Sequence, residues 1–225
     1  MHAVLRIGGS VIASPIDSKL IEQYATLLRK LAEKNDTMIV VVGGGTLARE
    51  YIGIGNQLGL SATQNDWLAI HVSRLHALLL SLKISEGHTS RIPVSIEDAL
   101  EAFRRNRIVV LGGLKPGMTT DTVAVKIALQ TNAQLLVKAT DQDGIFTKDP
   151  RKHKDARLLS KISYRDLTEL LEYNSHKAGL HQILDPVAIR MLSETNIRTI
   201  VVNGYHPENI EKALEGLNVG TIIAE

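Results

Sequence analysis

The chain has 225 residues, of which 44% are hydrophobic and 4% aromatic, and its 26 basic and 24 acidic side chains leave a formal net charge of +2. That is enough apolar material for one large α/β domain or two small lobes. The dispersed charge and the few aromatic residues argue against a nucleic-acid-binding surface. Because there is no cysteine, disulfides, thiolate metal sites and cysteine nucleophiles are excluded.

Apolar runs with strand character alternate with helical patterns along the chain. A helical pattern at 17–33 places its apolar side chains on one stripe, and the strand-like runs fall at 3–7, 37–42, 107–111, 133–137, 198–202 and 221–224. Alternating strands and helices imply a mainly parallel sheet that is covered on both faces. The sequence therefore predicts a doubly wound α/β fold.

The longest helical pattern runs over 64–84. Its apolar residues keep a spacing near 3.6 and form an unusually wide band, made of Leu68, Val72, Leu75, Leu79 and Leu82 and widened by Ile70, Ala77 and Leu78. A band this wide is often buried on two sides, so we expect the helix to pack on the sheet and on a partner subunit.

The N-terminal sequence predicts neither export nor membrane insertion. A strand-like run begins almost at once, without the apolar segment of a signal peptide. No uninterrupted apolar run reaches the roughly 20 residues that span a bilayer. We therefore expect a cytoplasmic protein without membrane association.

Three glycine-rich turns follow strand-like runs, at 7–10, 42–45 and 111–117. Glycine tolerates φ > 0 and has no Cβ, so backbone N–H groups in such turns can approach an anion closely. Helical patterns follow the second and third turns, and helix N-termini favour negative charge. The turns therefore predict a phosphate ligand.

Two familiar nucleotide motifs are only partly matched. Gly43-x-Gly45-x-x-Ala48 with Asp66 beyond it resembles a dinucleotide fingerprint, but 59–65 has a loop composition where that motif needs a second strand. The spacing at 112–119 is that of a P-loop, with Met118 in place of the lysine. What remains there is a turn that leads into helix-capping residues, Thr119, Thr120 and Asp121. A plain loop-to-helix connection is the alternative.

Scattered polar residues complete the candidate set. Ser10, Arg49 and Lys115 could each bond a phosphoryl oxygen, although each alone is typical of a solvated surface. Asp185-Pro186 is locally an ordinary helix start. The histidines have no metal-ligand spacing, and His71 and His76 are expected to be packed or solvated. We predict no protein metal site.

The three turns, together with residues 138–150 (KATDQDGIFTKDP), resemble the amino acid kinase superfamily. Within it, the resemblance is to the archaeal uridylate kinases and covers essentially the whole chain. It implies a three-layer αβα sandwich with a mainly parallel central sheet, formed by a single domain over 1–225. It also implies an acceptor lobe over 1–132 that binds UMP and a lobe over 133–225 that binds ATP.

The resemblance also implies a reaction and a set of site residues. ATP, with Mg²⁺, would phosphorylate UMP to UDP in pyrimidine nucleotide (CTP) biosynthesis, in a homohexamer built as a trimer of dimers. The catalytic residues would be Arg6, Arg49 and Asp185. ATP would be bound by Gly9, Ser10, Gly45, Arg49, Thr140, Asp141, Phe146 and Asp149. UMP would be bound by Gly44, Asp66, Leu114, Lys115, Pro116, Gly117, Met118, Thr119 and Thr120.

Two residues depart from the family pattern. Arg6 stands where many members have a lysine, which keeps the charge but changes reach and geometry. Asp141 stands where asparagine is common, which adds a negative charge that Lys138 or Mg²⁺ would have to offset. The alternatives are another small-molecule kinase of the superfamily, such as isopentenyl phosphate kinase, whose histidine near the second turn is missing from 46–51, or a non-catalytic nucleotide-binding protein.

Overall fold

The computed structural model describes residues 1–86, 91–173 and 184–224. Its strands are β1 (His2–Ile7), β2 (Thr37–Val42), β3 (Ile108–Leu111), β4 (Leu135–Thr140), β5 (Lys161–Ile162), β6 (Arg198–Asn203) and β7 (Gly220–Ile223). Its helices are α1 (Gly9–Ile12), α2 (Ser18–Glu33), α3 (Gly45–Gln57), α4 (Ala62–Ile84), α5 (Ile96–Arg105), α6 (Thr120–Gln130), α7 (Tyr164–Tyr173), α8 (Pro186–Ser193) and α9 (Glu208–Leu214).

The strands form one sheet in the order β3-β2-β1-β4-β6-β7-β5. Neighbouring strands from β3 to β6 are parallel, β7 is antiparallel to β6, and β5 pairs with β7 in parallel. Each predicted strand-like run is a strand, whereas the two-residue β5 was missed. Because β1 pairs directly with β4, the sheet runs without a break across the predicted lobe boundary.

Helices cover both faces of the sheet, and each face has its own apolar core. One core joins the sheet to α2, α9 and part of α4, while the other joins it to α5, α6, α7 and α8. Strands buried on both faces need apolar side chains at nearly every position, which explains continuous runs such as Met38–Val42. The predicted three-layer αβα sandwich is confirmed.

The predicted apolar band of α4 divides between two sides of the helix. Ile70, Ala77 and Leu80 are buried, whereas Leu75 and Leu79 are exposed. The buried side also contains polar residues, which interrupt its apolar pattern, namely Asn65, Ser73, His76 and Ser81. The helix starts at Ala62, two residues before the predicted start, because Ser61 and Gln64 form a reciprocal capping box.

One helix in the described ranges, α4, is long and apolar enough to cross a membrane by length and composition alone. Its contacts explain that composition differently, since α4 packs against α2, α3, β2 and β3. It also carries Arg74, whose guanidinium donates hydrogen bonds to backbone carbonyls of the third glycine turn. A core helix of a globular domain has the same features.

Candidate functional site

The first two glycine turns lie back to back at the carboxyl ends of the neighbouring strands β1 and β2. A Cβ built on Gly9 would lie 2.0 Å from the backbone nitrogen of Gly45, and Gly45 itself has φ +63°. No side chain fits between these turns, and a left-handed φ at Gly45 disfavours any other residue. Glycine therefore brings the start of α3 against the start of α1.

The third turn begins with a close contact to α4. A Cβ on Gly112 would lie 2.6 Å from the backbone of Ser73 and Arg74. The amide of Gly113 donates to Ser73 Oγ over 2.7 Å, and Arg74 Nε donates to the carbonyl of Gly113 over 2.9 Å. These two glycines therefore serve helix packing, and the part of the turn that is open to a ligand lies further on, from Lys115.

A cleft of about 570 Å³ opens between α3, α4 and the N-terminus of α6. Most of the residues that the resemblance assigns to UMP lie on its wall, together with Arg49. The lining comprises Gly44, Ala48, Arg49, Ile52, Asp66, Ala69, Ile70, Ser73, Gly113, Lys115, Gly117, Met118, Thr119 and Thr120. Two predicted residues are missing from this wall, since the side chain of Leu114 is buried in the core and Pro116 does not line the cleft.

Positive charge and free donors are concentrated on one side of this cleft. Arg49 is exposed and donates to the Thr46 hydroxyl over 3.1 Å, and in the described residues it pairs with no carboxylate. Lys115 is also exposed. The N-termini of α3 and α6 add their positive ends, and in each first turn one amide is already bonded, since Thr46 donates to Ser14 Oγ and Thr122 donates to Thr119 Oγ1. The arrangement suits a phosphate group.

Asp66 supplies the cleft with a carboxylate. One of its oxygens, Oδ2, accepts a hydrogen bond from the Gly117 amide over 2.7 Å, which joins α4 to the third turn. This contact orients the carboxylate, and a carboxylate can accept several hydrogen bonds. Asp66 is therefore placed to accept from the hydroxyl groups of a sugar.

Arg6 lies beneath the cleft in a buried charge cluster with Asp121 and Lys138. Arg6 Nε is 2.7 Å from Asp121 Oδ1, and Lys138 Nζ donates to Asp121 Oδ2 over 2.6 Å. Arg6 Nη2 also donates to the hydroxyl of Thr120 over 3.0 Å. Burial alone would raise the pKa of Asp121, but the two cations outweigh it and hold that pKa below its usual range.

Asp185 caps α8, as its local sequence predicts. Its carboxylate accepts from the amide of Ala188 over 2.9 Å and from the hydroxyls of Thr119 and Thr122. The same carboxylate thus ties the start of α8 to the start of α6. The catalytic role that the resemblance implies for Asp185 stays a prediction.

The segment after β4, which the resemblance assigns to ATP, is a loop that ion pairs and hydrogen bonds hold together. Asp141 pairs with Arg151 at 2.6 Å, and Asp149 accepts from the Arg151 amide over 3.0 Å. Thr140 is buried at the strand end, and Phe146 is half-buried. The charge of Asp141 is therefore offset by Arg151, a cation that the sequence did not suggest. Of the two alternatives suggested there, Lys138 and Mg²⁺, Lys138 is bonded to Asp121.

Tyr205, which follows β6, was missed by sequence reasoning. Its hydroxyl donates to the carbonyl of Ser10 over 3.2 Å, so the loop after β6 is joined to the first glycine turn. Its neighbour Gly204 accepts a 2.7 Å hydrogen bond from the buried Tyr24. The sequence offered no signal for these contacts, since Tyr205 lies 195 residues from Ser10 and Tyr24 lies 180 residues from Gly204.

Magnesium, which the resemblance implies, fits this site only as a companion of phosphate groups. Among the described residues, no group of three or more His, Cys, Asp or Glu could hold a metal ion. The carboxylates of Asp141, Asp149 and Asp185 already accept hydrogen bonds or pair with a cation. Mg²⁺ commonly relies on substrate phosphates and water for most of its ligands, with few from the protein.

Comparison with known proteins identifies relatives over the whole chain. The model of the amino acid kinase family matches residues 1–203. The chain is 36% identical over 221 residues to a uridylate kinase of Methanobrevibacter smithii, covering 98% of each chain. It is 40% identical over 223 residues to a uridylate kinase of Methanothrix thermoacetophila, covering 99% of each.

A solved structure agrees with these relatives. The uridylate kinase of Archaeoglobus fulgidus matches the full length of both chains with a TM-score of 0.89 at 36% identity. The fold, the length and the sequence thus identify the same group of proteins that the glycine turns and the segment 138–150 indicated. The chain belongs to the amino acid kinase family and, within it, to the archaeal type of uridylate kinase.

Proposed function

We propose that this protein transfers the γ-phosphoryl group of ATP to UMP, giving UDP and ADP. The observation that carries the proposal is the cleft between α3, α4 and α6. It combines a carboxylate suited to a ribose, Asp66, with a phosphate-binding side formed by Arg49 and two helix N-termini. The relatives that match over nearly the whole chain are uridylate kinases, which supports UMP as the acceptor.

The two substrates would meet at the paired glycine turns. UMP would occupy the cleft, with its ribose at Asp66 and its phosphate at Gly44 and the start of α6. ATP would occupy the lobe over 133–225, with its nucleoside at Phe146 and Asp149 and its phosphates at Gly9, Ser10 and Gly45. This division makes Arg49, one turn into α3, the side chain that reaches both sets of phosphates.

The chemistry that follows is a direct in-line transfer. The acceptor phosphate is already ionised near neutral pH, so no protein nucleophile or strong base is required. The protein would position the two nucleotides and offset their negative charges, which is the usual form of catalysis in phosphoryl transfer. Arg49, Arg6 and the amides of the glycine turns are suited to this work.

Mg²⁺ would enter this site with ATP. When bound, the ion neutralises phosphate charge and helps to orient the transferring group. The protein contributes the surrounding donors, and Asp185 at the start of α8 is the carboxylate for which the resemblance implies a catalytic role.

Two other functions are less well supported. Isopentenyl phosphate kinases carry a histidine near the second glycine turn, and none of the described residues that line the cleft is a histidine. The relatives named above do not favour that acceptor. A non-catalytic nucleotide-binding protein would not need an arginine between the proposed donor and acceptor phosphates, and Arg49, which pairs with no carboxylate among the described residues, would lie there.

We further propose a cytoplasmic homohexamer that serves pyrimidine nucleotide synthesis. Large apolar side chains are exposed along the outer sides of α3 and α4, namely Tyr51, Ile54, Leu58, Trp67, Leu75 and Leu79. Such a group supports a contact between subunits. Analytical ultracentrifugation of the purified protein measures the assembly, and a monomer at micromolar concentration would contradict it.

Asp66→Ala is expected to raise the KM for UMP by about 10- to 100-fold, because hydrogen bonds to a charged group contribute about 1.5–3 kcal/mol. The KM for ATP should change by less than about threefold. The measurement is steady-state kinetics with each nucleotide varied in turn. Glu33→Ala, which removes an exposed carboxylate from α2, is the matched control.

Unchanged UMP kinetics in Asp66→Ala would remove the ribose role of that carboxylate. Substrates lacking one ribose hydroxyl give a second readout of the same contact. The wild-type enzyme should bind 2′-deoxy-UMP more weakly than UMP. Asp66→Ala should bind the two nucleotides with similar affinity, because its contact to the ribose is already missing.

A further inference from the structure

Lys138 is a charged residue at the centre of the sheet that cannot reach a substrate. Its side chain is 2% exposed, and its ammonium is bonded to Asp121. The strand register sets Lys138 on β4 directly beside Arg6 on β1. Burying a lysine this deeply lowers the stability of the fold unless the lysine is paired. Its presence here therefore indicates a role other than packing.

The two cations share one carboxylate. Asp121 gives one oxygen to Arg6 Nε and the other to Lys138 Nζ. Arg6 and Asp121 alone would have no net charge, whereas the three side chains together carry +1. The carboxylate can therefore fix the orientation of Arg6 without cancelling the positive charge of the cluster.

The guanidinium of Arg6 lies where the first two glycine turns meet. Its Nη1 would be 3.2 Å from a Cβ on Gly8, and its Nη2 would be 3.4 Å from a Cβ on Gly43. The Nε faces Asp121, and Nη2 also bonds Thr120 at the start of α6. The field of the cluster therefore acts on the place where the proposed acceptor and donor phosphates meet.

We propose that Lys138 is a positioning residue that neutralises Asp121, so that Asp121 can orient Arg6 while the cluster keeps a positive charge toward the transferring phosphoryl group. This inference rests on the proposed function. It assigns Lys138 no contact with substrate, and it explains why a lysine is buried on β4 next to an arginine on β1.

The pH dependence of the reaction should report this charge. Three charged groups act on Lys138, namely Arg6 from β1, Asp121 from α6 and Asp185 from the start of α8. Burial lowers the pKa of Lys138 to about 8, against the opposing attraction of Asp121. As the pH rises through that value the cluster loses its net charge, so kcat should fall.

The test compares Lys138→Met with the double variant Lys138→Met/Asp121→Asn. The single variant leaves Arg6 and Asp121 with no net charge, and its kcat at pH 7 should fall by about 10- to 100-fold. This is less than the roughly 100- to 1,000-fold lost when a group in contact with the transition state is removed, because Lys138 acts through Asp121 and Arg6. The double variant restores the net charge of +1 and should recover at least about threefold. Lys126→Met on α6 is the matched control, since Lys126 is half-buried and has no ion pair among the described residues.

Each variant is assayed for ADP release with UMP between pH 6.5 and 9.5, after circular dichroism has shown that it is folded. The KM for UMP should stay within about threefold of wild type, and the fall of kcat above pH 8 should be missing from both Lys138 variants. A Lys138→Met enzyme with wild-type kcat, or one that keeps the fall above pH 8, would overturn the proposal. So would a double variant no faster than the single one.

If Lys138→Met does not fold, the pH dependence of wild-type kcat and the kcat of the double variant test the proposal instead. A wild-type kcat that is constant from pH 7 to 9.5 would overturn the proposal. If the wild-type protein releases no ADP with UMP at all, the proposed function fails instead, so the two failures are distinguishable.

Discussion

Arg49→Met is expected to lower kcat for UDP formation by about 100- to 1,000-fold, the range observed when a group that stabilises transition-state charge is removed. Arg49 lines the cleft one turn into α3, and among the described residues its guanidinium donates one hydrogen bond, to the Thr46 hydroxyl. An exposed arginine without a carboxylate partner is suited to binding phosphate groups. Removing the side chain leaves no buried group unpaired, so the fold should be retained.

Steady-state kinetics with both nucleotides saturating measures this loss. Arg49→Lys keeps the charge without the planar fork and should recover part of it. Arg165→Met is the control, because Arg165 is exposed on α7 and, within the part of the chain that the structure describes, its ion pair is with Glu169. An Arg49→Met enzyme that retains more than about a third of the wild-type kcat would contradict the assigned role.

Asp121→Asn is expected to lower the free energy of unfolding at pH 7 by about 3–5 kcal/mol, since removing one partner of a buried ion pair leaves the other charge uncompensated. Here two cations lose their partner, Arg6 and the fully buried Lys138. Urea unfolding followed by circular dichroism measures the change. The double variant Asp121→Asn/Lys138→Met removes the buried lysine charge together with its partner. Its free energy of unfolding should therefore fall by less than that of Asp121→Asn.

The sign of the acid dependence follows from the pKa of Asp121. Folding lowers that pKa, because the attraction of Arg6 and Lys138 outweighs the effect of burial. The stabilisation is therefore complete above the unfolded pKa of about 3.9 and is lost as the pH falls below it. The difference between wild type and Asp121→Asn should narrow below about pH 4.

Asp155→Asn serves as the control for this pair. Asp155 also pairs with a lysine, Lys148, but both side chains are largely exposed, and exposed pairs contribute little. Its unfolding curve should overlay that of wild type. Equal effects of the Asp121 and Asp155 substitutions would contradict the buried-cluster account.

The layers of the fold could be predicted because a sheet buried on both faces has a simple sequence pattern. The runs at 37–42 and 107–111 are apolar at nearly every position, which is typical of strands buried on both faces. The two-residue β5 could not be predicted, since its position is set by pairing with β7. The wide apolar band of α4 was predictable, but its division between two sides of the helix was not, because Ser73 and His76 take core positions that are normally apolar while Leu75 and Leu79 are exposed.

The candidate site was predictable only in its local parts. The glycine turns, the capping residue Thr119 and the cap at Asp185 have short-range signals, and the structure confirms the two caps. Contacts between distant segments have no such short-range signal in a single sequence. A lysine next to a run of apolar strand residues, Lys138, is an exception that the sequence itself shows. Its partner Asp121 was interpreted only as part of a helix start.

The most direct test of the central claim is ADP release from Mg-ATP with UMP, CMP, AMP and isopentenyl phosphate supplied separately as acceptors. The account predicts a strong response to UMP, coupled to UDP formation, and no response to isopentenyl phosphate. Turnover of isopentenyl phosphate in preference to UMP would contradict the acceptor assignment. Nucleotide binding without turnover of any acceptor would contradict the enzymatic function itself.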